Sequence, residues 1–103
     1  MTRKMLMYSR SFRDRLGRRQ ELQYYLLTDE VIFGVSTLEI YGAQIIMTAP
    51  DGTVEEKTIR GITPFGTRIT AMLGVMADGL VTPSTMKEVV GDLLSSDCGT
   101  KKG

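Results

Sequence analysis

Histidine and tryptophan are absent from this sequence of 103 residues, and cysteine occurs once, at Cys98. Histidine is the commonest general base at neutral pH and the commonest metal ligand, so its absence argues against most simple hydrolase and metalloenzyme functions. A single cysteine cannot form an internal disulfide, which fits folding by burial alone in a reducing cytoplasm. We therefore expect a cytoplasmic protein that uses no metal and no other cofactor.

Long hydrophobic runs are also missing. The longest apolar runs span only a few residues, whereas a helix needs about 20 to cross a bilayer. The apolar stretch near the N-terminus ends at Ser9-Arg10, before the hydrophobic region of a signal peptide could form. With 42% apolar residues, the composition is typical of one soluble domain with a modest core. The sequence predicts neither membrane insertion nor export.

The charge is divided between two parts of the chain. Residues 1–20 contain seven of the thirteen basic side chains and one acid, a net charge of +6. Residues 21–96 contain four basic and ten acidic side chains, a net charge of −6, so the total of +1 hides the division. We interpret residues 1–19 as a basic arm whose order the sequence leaves open. Residues 20–96 should form a single α+β domain, and residues 97–103 a disordered tail.

Four extended segments are predicted after the arm. Residues 22–27 and 31–41 are rich in β-branched and aromatic residues, and the polar residues 28–30 between them predict a tight connection. Residues 43–49 and 53–60 flank Pro50-Asp51-Gly52, a sequence typical of turns, and should form an antiparallel hairpin. The charged residues 55–57 favour an edge strand with a bulge for the last segment.

Two helices are predicted after the strands. Thr63-Pro64 can begin a helix, and apolar residues then recur at helical spacing from Phe65 to Met76. Gly79 is expected to end this helix in the left-handed conformation. A second start signal at Thr82-Pro83 is followed by an apolar face made of Met86, Val89, Val90, Leu93 and Leu94.

The order of these elements favours an α+β fold, with a small antiparallel sheet of about four strands (β-β-β-β-α-α) and two C-terminal helices packed on one face. The first two predicted strands carry apolar groups on both faces, including Tyr25 and Phe33, which is more than a sheet with one wet face requires. Either the arm or a second copy of the protein should cover part of the second face. We favour a homodimer.

Five arginines lie close together in the arm: Arg10, Arg13, Arg15, Arg18 and Arg19. Guanidinium groups pair with phosphates, and rings such as Tyr8 and Phe12 stack on bases, as in arms that contact nucleic acid. The same segment can instead be a solvated terminus, or it can bind an acidic protein. The sequence leaves all three interpretations open.

Other candidate motifs have structural explanations. Residues 61–68 have the glycine spacing of a phosphate-binding loop but lack the lysine that such a loop places after its second glycine. Glu55 and Glu56 are adjacent in a predicted strand, so they point to opposite faces and cannot share a proton or a metal. Cys98 has no histidine partner. We predict no catalytic, cofactor-binding or metal-binding residues.

Several short motifs occur together in this chain: Tyr24-Tyr25-Leu26-Leu27, Phe33-Gly34-Val35, Ile62-Thr63-Pro64, and Val81-Thr82-Pro83 followed by the helical segment 86–94. With them the chain resembles an uncharacterised family, a domain of unknown function in small cytoplasmic proteins of clostridia-like Gram-positive bacteria. The resemblance covers about residues 22–95. Gly91 stands where the family pattern tends to have an acid and Leu94 near an aromatic position, which implies a looser last helix. The resemblance implies no catalytic or ligand residues.

The most consistent prediction is a non-enzymatic interaction or regulatory module that acts through protein–protein contacts. Tyr25, Phe33 and the five arginines are its candidate contact residues. The alternative is nucleic-acid binding through the Arg-rich arm. An enzyme is not expected, because proton transfer at neutral pH needs a perturbed acid or base in a pocket, and the sequence points to none. No membrane partner is expected.

Overall fold

A computed structural model describes residues 2–98, with side chains through residue 95. Four strands come first: β1 (Thr2–Arg13), β2 (Arg19–Phe33), β3 (Ser36–Thr48) and β4 (Val54–Thr63). Two helices follow, α1 (Gly66–Asp78) and α2 (Met86–Cys98). The predicted α+β fold, in which one antiparallel sheet of four strands precedes two helices, is confirmed.

The strands lie side by side in chain order, and every neighbouring pair is antiparallel. Successive side chains of a strand point to opposite faces, so Tyr24 and Tyr25 of β2 lie on different sides of the sheet. Ile45 of β3 is the partner of Tyr24 and therefore shares its side. This side receives the helices.

α1 lies across all four strands and buries one stripe of its surface. The fully buried residues Ile69, Leu73 and Met76 recur at helical spacing. They belong to one cluster with residues of the sheet and of α2, which are Leu22, Tyr24, Ala43, Ile45, Met86 and Val90. Full burial of one such large apolar side chain contributes about 1.5–3 kcal/mol, so this one-sided cluster is the main source of stability.

Tyr24 connects the centre of the sheet to the segment between the helices. Its side chain is fully buried, and its Oη donates a hydrogen bond of 2.8 Å to the carbonyl oxygen of Val81. Burial raises the pKa of Tyr24 to about 12, so the phenol keeps its proton and remains a donor at neutral pH.

The hairpin predicted at Pro50-Asp51-Gly52 is confirmed. The Thr53 carbonyl accepts from Ala49 N at 2.9 Å, and Asp51 Oδ1 accepts from Thr53 N at 2.9 Å. β4 is an edge strand, and its register with β3 shifts between Tyr41 and Ala43, as expected for a bulge.

Residues 2–13, predicted as part of a basic arm, are strand β1 of the sheet. β1 pairs with β2 from Thr2, opposite Asp29, to Arg13, opposite Arg19. The sheet therefore begins at Thr2 and not at residue 20. Tyr8 and Phe12 pack against the core, but the arginines around them and a register shift between Leu6 and Tyr8 conceal the alternation expected of a strand.

β2 continues without a break through residues 28–30, where a connection was predicted. The turn lies instead at Gly34-Val35, in the middle of the segment predicted as one strand over 31–41. Thr28 and Asp29 have partners on both β1 and β3, so ladder formation on two sides outweighs the low strand preference of an acidic residue. Gly34 has a φ of +59°, a conformation that favours glycine.

The helix ends differ in detail from the prediction. α1 begins at Gly66 after Phe65, and Thr63 Oγ1 accepts a 3.2 Å hydrogen bond from Phe65 N. The expectation that Gly79 adopts the left-handed conformation is wrong, because its φ is −88° and Leu80 has the positive φ of 53°. Of the predicted tail, residues 97–98 end α2 and the remainder lies outside the described residues.

Candidate interaction surface

Within residues 2–98, both helices lie on the Tyr24 side of the sheet, and on the opposite side the backbone of β4 at Ile59 and Arg60 comes close to Gly42. We call that opposite side the uncovered face. The register places apolar side chains there, among them Leu6, Tyr25, Leu27 and Ile46, together with polar or charged ones, among them Lys4, Gln23, Gln44, Glu56 and Thr58. Leu6 is 47% exposed, whereas Tyr25 and Ile46 are half-buried and Leu27 is buried. Apolar side chains on this face are therefore interspersed with polar and charged ones.

β2 and β3 extend beyond both edge strands. β1 begins opposite Asp29, and β4 ends opposite Tyr41. Residues 30–40 therefore form a two-stranded projection, which we call the β2–β3 ribbon, and both of its edges lack a neighbouring strand in the described chain. Isolated two-stranded ribbons are marginally stable in water, so this one is expected to gain from further contacts.

The two sides of the ribbon differ in polarity. The register places four apolar side chains on the side that continues the uncovered face: Val31, Phe33, Leu38 and Ile40. The opposite side carries Glu30, Ile32, Thr37 and Glu39. Phe33 is 63% exposed and Leu38 is 40% exposed. The apolar surface of the sheet thus continues to the tip of the ribbon.

Charged groups on the uncovered face are paired within the chain. Arg60 Nη1 donates to Asp29 Oδ1 at 3.1 Å and to Thr2 Oγ1 at 2.7 Å, and Thr2 in turn donates to Asp29. Lys4 Nζ lies 4.4 Å from the centre of the Tyr25 ring, a cation–π contact. On this face Arg60 is therefore paired with an acid, whereas Lys4 contacts an aromatic ring.

Tyr25 and Phe33, the two predicted contact residues outside the arm, lie on this same side of β2. They are eight positions apart, which corresponds to about 26 Å along an extended strand. Tyr25 belongs to the sheet and Phe33 to the tip of the ribbon. The structure thus places both on the same side of β2, separated by Leu27, Asp29 and Val31.

The five predicted arginines do not form one patch. Arg10 lies on the helix side, with its guanidinium 5.2 Å from the centre of the Tyr8 ring and 3.8 Å from Asp78. The other four lie at or beside the β1–β2 turn. Arg13 Nη1 donates to the carbonyl of Gly17 at 2.8 Å, Arg18 Nε to Asp14 at 3.0 Å, and Arg19 Nε to Glu21 at 2.9 Å. Arg15 is exposed.

Asp14 organises the β1–β2 turn. Its Oδ1 accepts from the backbone N–H groups of Leu16 and Arg18 at 2.9 Å, and its Oδ2 accepts from Arg18 Nε and Gln20 Nε2 at 3.0 Å. Desolvation by burial opposes ionisation, but the hydrogen bonds from Arg18, Gln20 and Leu16 lower the pKa of Asp14 below 3.8. Leu16, which is 77% exposed, is held at the tip of this turn beside Arg15.

A cleft of about 340 Å³ lies near the two turns at this end of the sheet, and Asp14, Asp51 and Glu55 line it together with Thr82 and Ser84 of the segment before α2. The hydrogen bond from Thr53 N lowers the pKa of Asp51, as hydrogen bonds lower that of Asp14. Both groups are therefore carboxylates at neutral pH and cannot donate a proton. Among the described residues, no three His, Cys, Asp or Glu side chains form a group that could hold a metal ion.

The sequence alone does not identify Val31, Leu38 and Ile40 as members of the surface. A turn at Gly34 reverses the chain, so Leu38 pairs with Val31 and shares its side. Treating 31–41 as one strand assigned these residues to different faces. The signal that could have found them is the pair of apolar alternations, 27–33 and 36–40, on either side of a glycine in a turn-forming position.

In the part of the chain that the structure describes, neither helix has the length and apolar character to cross a membrane. No curated protein and no solved structure matches the chain significantly. A family model does match residues 3–96, a range that begins at the second residue of β1 and ends two residues before the end of α2. The resemblance to an uncharacterised domain family is thereby confirmed. The chain belongs to DUF6514, a family of unknown function.

Proposed function

We propose that the protein is a non-enzymatic interaction module that binds another protein through the uncovered face and the β2–β3 ribbon. The observation that carries this proposal is the one-sided ribbon, in which Phe33 and Leu38 are exposed on the side away from the helices. Removing apolar surface from water is worth roughly 25 cal/mol per Å². Contiguous apolar surface of this kind is typical of interaction sites.

The chemistry of the charged groups supports binding rather than catalysis. The carboxylates of Asp14 and Asp51 are ionised and are engaged in turns, and Tyr24 is a buried neutral donor to a backbone carbonyl. Each of these groups has a structural task. The cytoplasm of a clostridia-like bacterium, where the single cysteine would stay reduced, is the compartment we propose for the module. Any regulatory role of the module would depend on the identity of the protein that it binds.

The test compares two neighbouring residues of the ribbon. Phe33 points to the uncovered side, whereas Ile32 points to the helix side, and the two are similarly exposed at 63% and 75%. We expect Phe33→Asp to abolish capture of partner proteins by the tagged chain and Ile32→Asp to leave it intact. Circular dichroism verifies that both variants fold. Equal capture by the two variants would contradict the proposal.

Nucleic-acid binding is a second candidate, because four arginines surround the β1–β2 turn and Arg15 is exposed there. It is weaker, since Arg13, Arg18 and Arg19 already have partners within the chain. Gel shift across a salt series decides between the two proposals. Retardation that Arg15→Gln and Arg19→Gln weaken, and that Phe33→Asp leaves unchanged, would favour nucleic acid.

A further inference from the structure

We infer that the cleft beside the β1–β2 and β3–β4 turns binds an organic cation, which is an ammonium or guanidinium group on an apolar stem. The cleft lies on the helix side of the sheet, so this inference is independent of the protein contacts proposed for the uncovered face. A small free amine and a lysine or arginine side chain of another protein both supply this chemistry. The shape of the cleft, its polar groups and its charge each favour such a ligand.

The end of the sheet forms an apolar floor for the cleft. Phe12 of β1 and Met47 of β3 line it, and both are half-buried and pack against the core. The other lining residues come from the two turns, the beginning of β4 and the segment before α2. The volume of about 340 Å³ lies near the lower end of the range of about 300–1,000 Å³ that is typical of ligand pockets. A ligand with few atoms therefore fits.

Gln20 offers an unused acceptor to the cleft. Its side chain is only 6% exposed and lines the cleft. Its Nε2 donates to Asp14 Oδ2 at 3.0 Å, which fixes the orientation of the amide. Its Oε1 accepts no hydrogen bond from a described residue, yet it is not sealed from solvent. Leaving such an acceptor without a donor is costly, so the site favours a ligand with N–H groups, and ammonium and guanidinium groups are donors only.

Carboxylates outnumber cations around the cleft. Asp14, Asp51 and Glu55 line it, and Arg18 is the one base among the described residues that do so. Arg18 is already bound to Asp14, with its Nε 3.0 Å from Oδ2. Asp51 and Glu55 have no ion pair with a described residue. A concave surface with an excess of one charge concentrates ions of the opposite sign, so this cleft favours cations.

A metal ion fits the cleft less well than an organic cation. In the described part of the chain, no three His, Cys, Asp or Glu side chains come together in a way that could hold a metal. Phe12 and Met47 lie beside the carboxylates instead. An apolar stem would remove these two side chains from water, and the face of an aromatic ring attracts a cation. The hydroxyls of Thr82 and Ser84, which are 3.1 Å apart, can accept further N–H groups.

Titration of the intact chain with three probes tests the class of ligand. Butylamine at neutral pH carries both a cation and an apolar stem, whereas butanol has only the stem and ammonium chloride only the cation. We expect butylamine to shift the backbone amide NMR signals of Asp51, Thr53 and Ser84 in a saturable way, with a dissociation constant of about 1 mM, as is usual for so few atoms. Butanol and ammonium should bind at least about tenfold more weakly. Equal affinity for either of them, or no saturation by butylamine, would overturn the inference.

Two adjacent glutamates of β4 provide matched variants. Glu55 lines the cleft, whereas Glu56 pairs with Ile46 and lies on the uncovered face. Glu55→Gln should weaken butylamine binding about tenfold, the effect of losing one charge-assisted hydrogen bond. Glu56→Gln removes the same charge and should change the affinity by less than about twofold. Circular dichroism verifies that both variants fold. Equal weakening would show that butylamine responds only to the net charge of the chain, and would refute the cleft as its site.

A blocked lysine distinguishes the two sources of the cation. In Nα-acetyl-lysine methylamide, the four-carbon stem continues into peptide groups. If it binds as tightly as butylamine, the cleft is a receptor for a basic side chain of another protein. If butylamine binds and the blocked lysine does not, the ligand is a small free amine. Failure of all titrations would leave the proposed function standing, because that function is tested by Phe33→Asp on the opposite side of the sheet.

Discussion

Neighbouring residues of β2 have opposite environments because a strand alternates its side chains. Tyr24 is fully buried under the helices and donates to Val81 O, whereas Tyr25 is half-buried on the uncovered face under the Lys4 ammonium. The two tyrosines are chemically identical. Their different roles follow from their positions, because side chains at even and odd positions of the strand point to opposite faces. A shift of one residue in register would exchange the two faces.

Two glycines allow a matched test at the residue scale. A Cβ at Gly42 would lie 2.4 Å from the carbonyl oxygen of Ile59 and 2.8 Å from Cα of Arg60, whereas a Cβ at Gly91 in α2 would meet no atom within 4 Å. Gly42→Ala must therefore push β3 and β4 apart and should lower the free energy of unfolding by about 1–3 kcal/mol. Gly91→Ala should raise it by about 0.5–1 kcal/mol, because alanine favours helix. Urea denaturation of both variants measures the difference, and equal changes would contradict this account.

The sequence predicts the candidate site only in part. Tyr25 and Phe33 could be predicted as surface residues because apolar groups occur in both phases of the first extended segments. Their location on one side could not, since it depends on the turn at Gly34. The partners of the arginines could not be predicted either. Asp14 accepts hydrogen bonds from Arg18 in a turn whose geometry exists only in the folded chain.

At the scale of elements, the β1–β2 turn depends on one carboxylate. Four donors converge on Asp14, and their hydrogen bonds lower its pKa. A depressed folded-state pKa means that the ionised group stabilises the fold above its unfolded pKa of about 3.8. This contribution is lost as the pH falls through the lower folded-state value.

A pH series therefore tests the turn. At neutral pH, Asp14→Asn should be less stable than the parent chain, because an amide cannot accept these bonds as an anion. The difference in the free energy of unfolding should close as the pH falls below 3.8. Asp92→Asn, an exposed acid of α2, is the control and should show no such gap. A gap for Asp14→Asn that persists at low pH would show that its cause is not ionisation.

Elements could be predicted where their own residues determine the structure. They could not be predicted where pairing with a distant strand determines it. The Pro50-Asp51-Gly52 turn and both helices have strong local signals, and all three are present. β1 was missed because arginines interrupt its apolar alternation and its partners lie far along the chain, up to 27 residues away for Thr2 and Asp29. The same two-sided pairing keeps β2 extended through Asp29, against local preference.

At the scale of the whole molecule, β1 is an integral strand of the sheet. A truncation that removes it therefore tests the stability of the fold. Tyr8 and Phe12 of β1 pack against the core, and α1 contacts β1 as it contacts the other three strands. Deleting residues 1–13 would expose the edge of β2 and remove these contacts.

We expect the deletion to abolish cooperative unfolding or to lower the midpoint strongly. Thermal denaturation followed by circular dichroism measures this. As a control, the charge variant Arg15→Gln alters the turn without touching the core and should unfold like the parent chain. A truncated chain with an unchanged midpoint would show that β1 contributes little to the fold.

The length of β2 determines the distance between the arginines at its beginning and Phe33 at its end. Fifteen residues span about 50 Å, several times the screening distance of about 10 Å at 0.1 M salt. The electrostatic effect of an ion bound at the arginines beside the β1–β2 turn would therefore be screened before it reached Phe33.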